Sequence, residues 1–148
     1  MTKPSLDKRL CFNVYSLHHQ ISRFYNKSVL TEMEITYPQF LVLNILLDKE
    51  QVNIKMLAET LRLDTGTISP LIKRMERLGL VHRFRNPTDQ RLVILEPTEH
   101  GRKMGKQLEE AFEAFDDVIN LTTEEESLFL EYIQHVNVRL AEKNAARK

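Results

Sequence analysis

Asn53-Ile-Lys-Met-Leu-Ala-Glu-Thr-Leu61 and Asp64-Thr-Gly-Thr-Ile-Ser-Pro-Leu-Ile-Lys-Arg-Met-Glu-Arg-Leu-Gly79, joined by Arg62-Leu63, decide the fold. Asn53 suits a helix cap, and Met56, Leu57 and Leu61 are expected to point inward from a short helix. Asp64 opens a second helix through Leu71, Ile72, Met75 and Leu78, and Gly79 supplies the left-handed residue that ends it. Pro70 admits a later start at Ser69, but the earlier start with a local distortion is preferred. The period then changes from helical to extended. Leu80-Val-His-Arg-Phe-Arg85 and Arg91-Leu-Val-Ile-Leu95 are β-rich runs joined by the turn-forming Asn86-Pro-Thr-Asp-Gln90. The order is short helix, tight turn, helix and hairpin: a helix-turn-helix followed by a wing.

Upstream, Leu6, Leu10, Val14, Leu17, Ile21 and Phe24 recur at helical spacing, so residues 5–29 read as one long amphipathic helix. Thr36, Pro38 and Gln39 form a capping-box start for a nearly all-apolar, buried helix containing Phe40, Leu43, Ile45, Leu46 and Leu47. Downstream, Thr98 begins a helix through about Asn120. Thr122 and Glu125 start another to about Ala141, and the tail from Glu142 is expected to fray. The fold class is mainly α with a small β-hairpin wing. Residues 1–34 and 97–148 are assigned to dimerisation, because the terminal helices carry more apolar face than a winged helix can cover, and 35–96 to DNA binding.

Charge points the same way. The chain has 21 basic and 21 acidic residues, but they are segregated. From Arg62 to Arg91, seven cations (Arg62, Lys73, Arg74, Arg77, Arg83, Arg85, Arg91) face three anions (Asp64, Glu76, Asp89), and an acidic stretch follows. A basic middle inside a neutral protein is the footprint of a duplex-contacting segment. A helix fits the major groove and meets base edges near its N-terminus. Thr65, Thr67 and Ser69 stand there, with Lys73, Arg74 and Arg77 behind them for phosphates. In the wing, Arg85 and Arg91 flank the tip, and Asp89 is spaced to hold the Arg91 guanidinium toward a minor groove. A plain surface salt bridge is the bland alternative for that pair.

These segments resemble the MarR family of winged-helix regulators. Asp89-Gln-Arg91 matches that family's Asp-x-Arg wing signature, and Leu63 to Glu76 matches the recognition-helix pattern of its organic-hydroperoxide (OhrR-type) branch. Leu10-Cys-Phe-x-x-Tyr15 and Ile35-Thr-Tyr-Pro-Gln39 match the branch's N-terminal pattern. The resemblance implies an obligate dimer on a pseudo-palindromic operator, and repression relieved when a reactive cysteine is oxidised.

That cysteine would be Cys11, the only one in the chain. Lys8, Arg9 and a helix start are surroundings that favour a thiolate, although a lone cysteine is more often an inert apolar residue. The resemblance assigns Tyr25 and Tyr37 as hydroxyls that hold the thiol. Tyr25 lies fourteen residues beyond Cys11, roughly 21 Å along a straight helix, so it can reach a thiol only in the partner subunit. With no second cysteine, an oxidised Cys11 would stop at sulfenic acid, take up a small cellular thiol or overoxidise. The other open reading is a small ligand in the cleft between the dimer helices and the winged helix, with Cys11 incidental.

Several classes are disfavoured. No apolar run is long enough for a transmembrane span, and the first ten residues lack a secretory core, so a cytoplasmic location is expected. His18 and His19 are adjacent and diverge, and no metal-ligand spacing occurs. A Walker loop, a dinucleotide turn and a Gly-x-Ser-x-Gly elbow are all absent from the sequence. Neither a cofactor nor an enzymatic activity is expected, and a thiol peroxidase would need a resolving thiol.

Overall fold

The computed structural model describes residues 3–147. A 3₁₀ turn at Leu6–Lys8 precedes α1 (Leu10–Phe24), and then come α2 (Tyr37–Lys49), β1 (Val52–Asn53), α3 (Ile54–Leu61) and α4 (Thr65–Arg77). The hairpin strands β2 (Val81–Arg85) and β3 (Val93–Pro97) lead into α5 (Glu99–Lys103), α6 (Gly105–Ile119) and α7 (Thr123–Ala145). One compact unit ends at Phe112 and a second begins at Glu113.

The caps follow from the sequence. Thr36 N–H donates to Gln39 Oε1 at 2.9 Å, and Asn53 Oδ1 accepts from Met56 N–H at 2.8 Å. Thr122 N–H donates to Glu125 Oε2 at 2.9 Å, and its hydroxyl accepts from Glu125 N–H at 3.2 Å. Each bond satisfies an orphan donor at a helix start. The early start of α4 is present, with Asp64 as cap and Pro70 inside the helix. Gly79 has φ +71°, and the end of α4 closes through Gly79 N–H to the Glu76 carbonyl (2.9 Å) and Leu80 N–H to the Met75 carbonyl (3.0 Å). That is a Schellman closure.

The core of the first unit is built on α2, whose Phe40, Val42, Leu43 and Leu46 are fully buried. Ile68, Ile72 and Met75 bring the inner face of α4 to the core, and Leu57, Leu80, Leu95 and Leu108 join them. The sheet has the order β1-β3-β2 and is antiparallel throughout, with Arg85 opposite Val93 and Val52 opposite Leu95. Strand β1 was not expected. It is only two residues long, below the length at which alternation can be read.

Five expectations are corrected. The first helix is not continuous over 5–29: Arg9 is extended (φ −94°, ψ 130°), and the Asn13 amide holds that break by donating to the carbonyls of Asp7 (2.6 Å) and Arg9 (2.8 Å). Its end widens into a π-turn, Tyr25–Val29, in which Leu30 N–H reaches the Tyr25 carbonyl at 2.9 Å. The helix expected after Thr98 is divided at Met104, whose N–H bonds the Gly101 carbonyl three residues back. Strand β3 begins at Val93, because Arg91 and Leu92 are used in closing the wing loop. Met56 is 47% exposed rather than inward, and α7 stays helical through Ala145, four residues past the expected end.

Candidate nucleic-acid interface and cysteine site

The N-terminus of α4 is organised by one carboxylate. Asp64 Oδ1 accepts from Thr67 N–H at 2.8 Å, and Oδ2 accepts from the Thr67 hydroxyl at 2.9 Å. These bonds, the backbone one first, hold the Asp64 carboxyl below the usual carboxylate range. One turn on, the Ser69 hydroxyl donates to the Thr65 carbonyl at 2.9 Å. Thr65, Thr67, Lys73, Arg74 and Arg77 are exposed, while Ser69 is half-buried at the edge of the helix's inner face. The middle of the exposed face is a ridge of Gly66, Pro70, Lys73 and Arg77, spaced four, three and four residues apart, of which sequence reasoning had picked out only the two cations. The available signal was that spacing, read for the outer face instead of the inner one.

The wing is a braced loop. Asn86 Oδ1 accepts from Thr88 N–H (2.8 Å), the Thr88 hydroxyl (2.7 Å) and Asp89 N–H (3.3 Å). Asn86 N–H closes the loop on the Leu92 carbonyl at 2.9 Å. Arg85 Nη1 donates to the Gln90 carbonyl at 2.8 Å, so part of this cation holds the loop in shape. Arg91 Nε and Nη2 meet the two oxygens of Asp89 at 3.0 and 3.3 Å. The Arg91 side chain bond, and then its backbone N–H, hold the Asp89 carboxyl below its ordinary range. Arg83 Nε lies 3.4 Å from Glu76 Oε2 and ties β2 to the last turn of α4. The structure therefore presents Arg85 at the end of β2 with Asp89 and Arg91 on the loop that follows, and the α4 candidates on one helix.

Cys11 is the second residue of α1 and is exposed. Tyr25 and Tyr37 are brought together, but not to Cys11. Their rings stack with centroids 4.6 Å apart and planes 8° from parallel, and Tyr25 packs on Phe40 as well. Tyr25 is 2% exposed, and burial pushes the Tyr37 phenol up, so it stays protonated at neutral pH. The Tyr37 backbone N–H donates to Asn26 Oδ1 at 2.7 Å, which fixes the π-turn against the start of α2. Phe24 lies thirteen helical steps beyond Cys11, a rise of roughly 20 Å.

The MarR family profile matches residues 35–93, from the start of α2 into the wing. The HTH-type transcriptional regulator MgrA of Staphylococcus aureus is 40% identical over 121 residues, covering 82% of each chain. This chain belongs to the MarR family. As a MarR-family member it is a DNA-binding transcriptional regulator and not an enzyme. Among solved structures, reduced AbfR bound to DNA is 29% identical with a TM-score of 0.76, over 91% of this chain and 93% of that one. AbfR is a protein of Staphylococcus epidermidis, and it has also been solved overoxidised on DNA. The PcaV regulator of Streptomyces coelicolor with its natural ligand is 26% identical with a TM-score of 0.81, over 93% and 97%. No helix among the described residues is long and apolar enough to cross a membrane.

Proposed function

We propose that this MarR-family regulator is a cytoplasmic, dimeric repressor of the organic-hydroperoxide type, released from a pseudo-palindromic operator when Cys11 is oxidised. Residues 35–96 carry the DNA contacts. Thr65, Thr67 and Ser69 face bases, Lys73, Arg74 and Arg77 face phosphates, and Arg85, Asp89 and Arg91 serve the wing. Residues 1–34 and 97–148 make the dimer. Leu10, Val14, Leu17 and Ile21 on α1 and Phe129, Ile133, Val136 and Leu140 on α7 repeat the same four-three-four spacing, and seven of these eight are exposed in the single chain. Apolar stripes of this kind are what an isologous interface buries.

The observation that carries the redox reading is the placing of the only thiol. Cys11 is open to solvent in the first turn of a helix whose apolar stripe is also open. Its thiolate takes one oxygen from a hydroperoxide, leaving the alcohol and a sulfenic acid. A small cellular thiol then condenses with the sulfenic acid and releases water. Tyr37, whose phenol burial keeps protonated, and Tyr25, stacked on it, act as hydroxyl donors toward the thiol of the partner subunit. The redox states named for AbfR support the reading by analogy. Operator binding by wild type and Cys11→Ser, with and without organic hydroperoxide, tests it.

A second reading rests on a recess of about 270 Å³ bordered by Met33, Leu78, Leu80, His100, Met104 and Gln107. A small ligand there would touch the end of α4 directly, and PcaV is described with a natural ligand. Release of Cys11→Ser by a ligand and not by peroxide would select this reading.

A further inference from the structure

The polarity of the α4 N-terminus carries an inference that deepens the proposed DNA contact and rests on α4 being the recognition helix. A threonine hydroxyl ordinarily serves either as donor or as acceptor, because its proton rotates to suit. At Thr67 that freedom is gone. Its oxygen lies 2.9 Å from Asp64 Oδ2, and the other Asp64 oxygen is taken by Thr67 N–H at 2.8 Å. An ionised carboxylate only accepts, so the Thr67 hydroxyl proton must point at Asp64. The depressed Asp64 titration keeps the carboxylate ionised throughout the neutral range. What Thr67 turns outward is its remaining lone pairs, and its side chain is on the exposed flank of α4, two turns before Arg74. The same commitment recurs at Ser69, whose proton goes to the Thr65 carbonyl.

In the major groove, adenine N6 and cytosine N4 are donors, whereas guanine O6 and thymine O4 are acceptors. We infer that Thr67 reads its contacted strand as a hydrogen-bond acceptor, selecting an amino base (adenine or cytosine) over a keto base, with Asp64 as the residue that sets this polarity. Asp64 would contribute specificity at a cost in affinity, because its negative charge lies near the phosphates.

Asp64→Asn gives a sharp test. Asparagine is as good a helix cap as aspartate, and its oxygen can still accept from Thr67 N–H. Its amide then donates to the Thr67 oxygen, which turns the hydroxyl proton outward. Full-length wild type, Asp64→Asn, Thr67→Val, Thr67→Ser and Arg74→Ala are each used to select bound duplexes from a pool randomised in the half-sites, at one salt concentration. Preference is read as a ratio within each pool, so the uniform gain from removing a negative charge cancels. Circular dichroism melts confirm that each variant is folded.

Wild type and Thr67→Ser should favour an amino base about three- to tenfold at one position in each half-site, the range of a single net hydrogen bond. Asp64→Asn should reverse that position to a keto base, and Thr67→Val should level it. An amino preference that survives in folded Asp64→Asn overturns the role of Asp64. A preference that survives in Thr67→Val, while Arg74→Ala binds weakly, overturns the Thr67 contact and leaves the recognition helix in place. Wild-type affinity and preference in all four variants would instead overturn the recognition-helix reading itself.

Discussion

Arg91 and Asp89 form a forked pair, Nε to Oδ1 at 3.0 Å and Nη2 to Oδ2 at 3.3 Å, although the Arg91 side chain is 90% exposed. An exposed pair of this kind adds little to stability. Its use is orientation: the loop bonds of Asn86, the Arg85–Gln90 brace and the Asp89 fork leave Arg91 few directions to point in. Arg91→Ala should weaken operator binding by roughly 1–3 kcal/mol, as loss of a specific groove contact does. Asp89→Ala should weaken it less, because the cation remains. Anisotropy titrations at fixed salt decide this, and unchanged affinity for Arg91→Ala would remove the wing from the interface.

Acid behaviour follows from the same pair. The Asp89 titration is depressed by the Arg91 hydrogen bonds from the ordinary value of 3.8. A depressed carboxyl contributes fully above its unfolded value and loses that contribution as pH falls through the folded one. The fork is therefore intact throughout the neutral and mildly acidic range, and is lost only below 3.8. The affinity ratio of Asp89→Asn to wild type should stay constant from about pH 8 to pH 5. A ratio that drifts toward one across that window would mean the carboxylate protonates much earlier than its partners allow.

The junction between α4 and α5 is a tight latch. The Thr98 hydroxyl donates to the Gly79 carbonyl and accepts from Gly101 N–H at 3.0 Å, while Thr98 N–H bonds the Leu80 carbonyl at 3.0 Å. A side-chain carbon at Gly101 would overlap the Leu80 carbonyl, which is backbone and cannot move aside. Gly101→Ala should cost about 1–3 kcal/mol, the range for forced overpacking. Gly79→Ala should cost roughly 1–2 kcal/mol for its left-handed backbone alone, since nothing lies within 4 Å of the added carbon. Denaturant titrations measure both, and a Gly101→Ala protein as stable as wild type would refute the latch.

Local signals made most of the winged helix legible. Asn53, Asp64, Gly79 and Thr122 each announce a helix boundary through a bond to residues at most four away, and all four boundaries are present. The failures involve partners distant in the chain or patterns too short to read. Strand β1 exists because Val52 finds Leu95. The π-turn is accompanied by Tyr25 stacking on Tyr37 and by Asn26 bonding its backbone. The break at Arg9 depends on Asn13 reaching back to Asp7. At the candidate site, the Asp89–Arg91 spacing was readable and the Arg85 bond to the Gln90 carbonyl was not, while the outward ridge of Gly66 and Pro70 was present in the spacing but passed over. The inner face of α4 carries the apolar pattern that a sequence reader follows.

The apolar stripes predict what truncation does. Removing residues 122–148 takes away the stripe of Phe129, Ile133, Val136 and Leu140, one of the two proposed to form the dimer interface. Light scattering should find monomer or aggregate with no tight binding to a two-half-site operator. A soluble truncated dimer that still binds would place the interface elsewhere.

Whether Cys11 senses the signal is decided by operator release with organic hydroperoxide in wild type and Cys11→Ser. Serine keeps the size and exposure of this first-turn position but cannot be oxidised. The two proteins should bind the operator equally before oxidant. Peroxide should release only wild type, with an added small thiol appearing as a mixed-disulfide mass on Cys11. Equal release of Cys11→Ser by peroxide would mean that Cys11 is not the sensor.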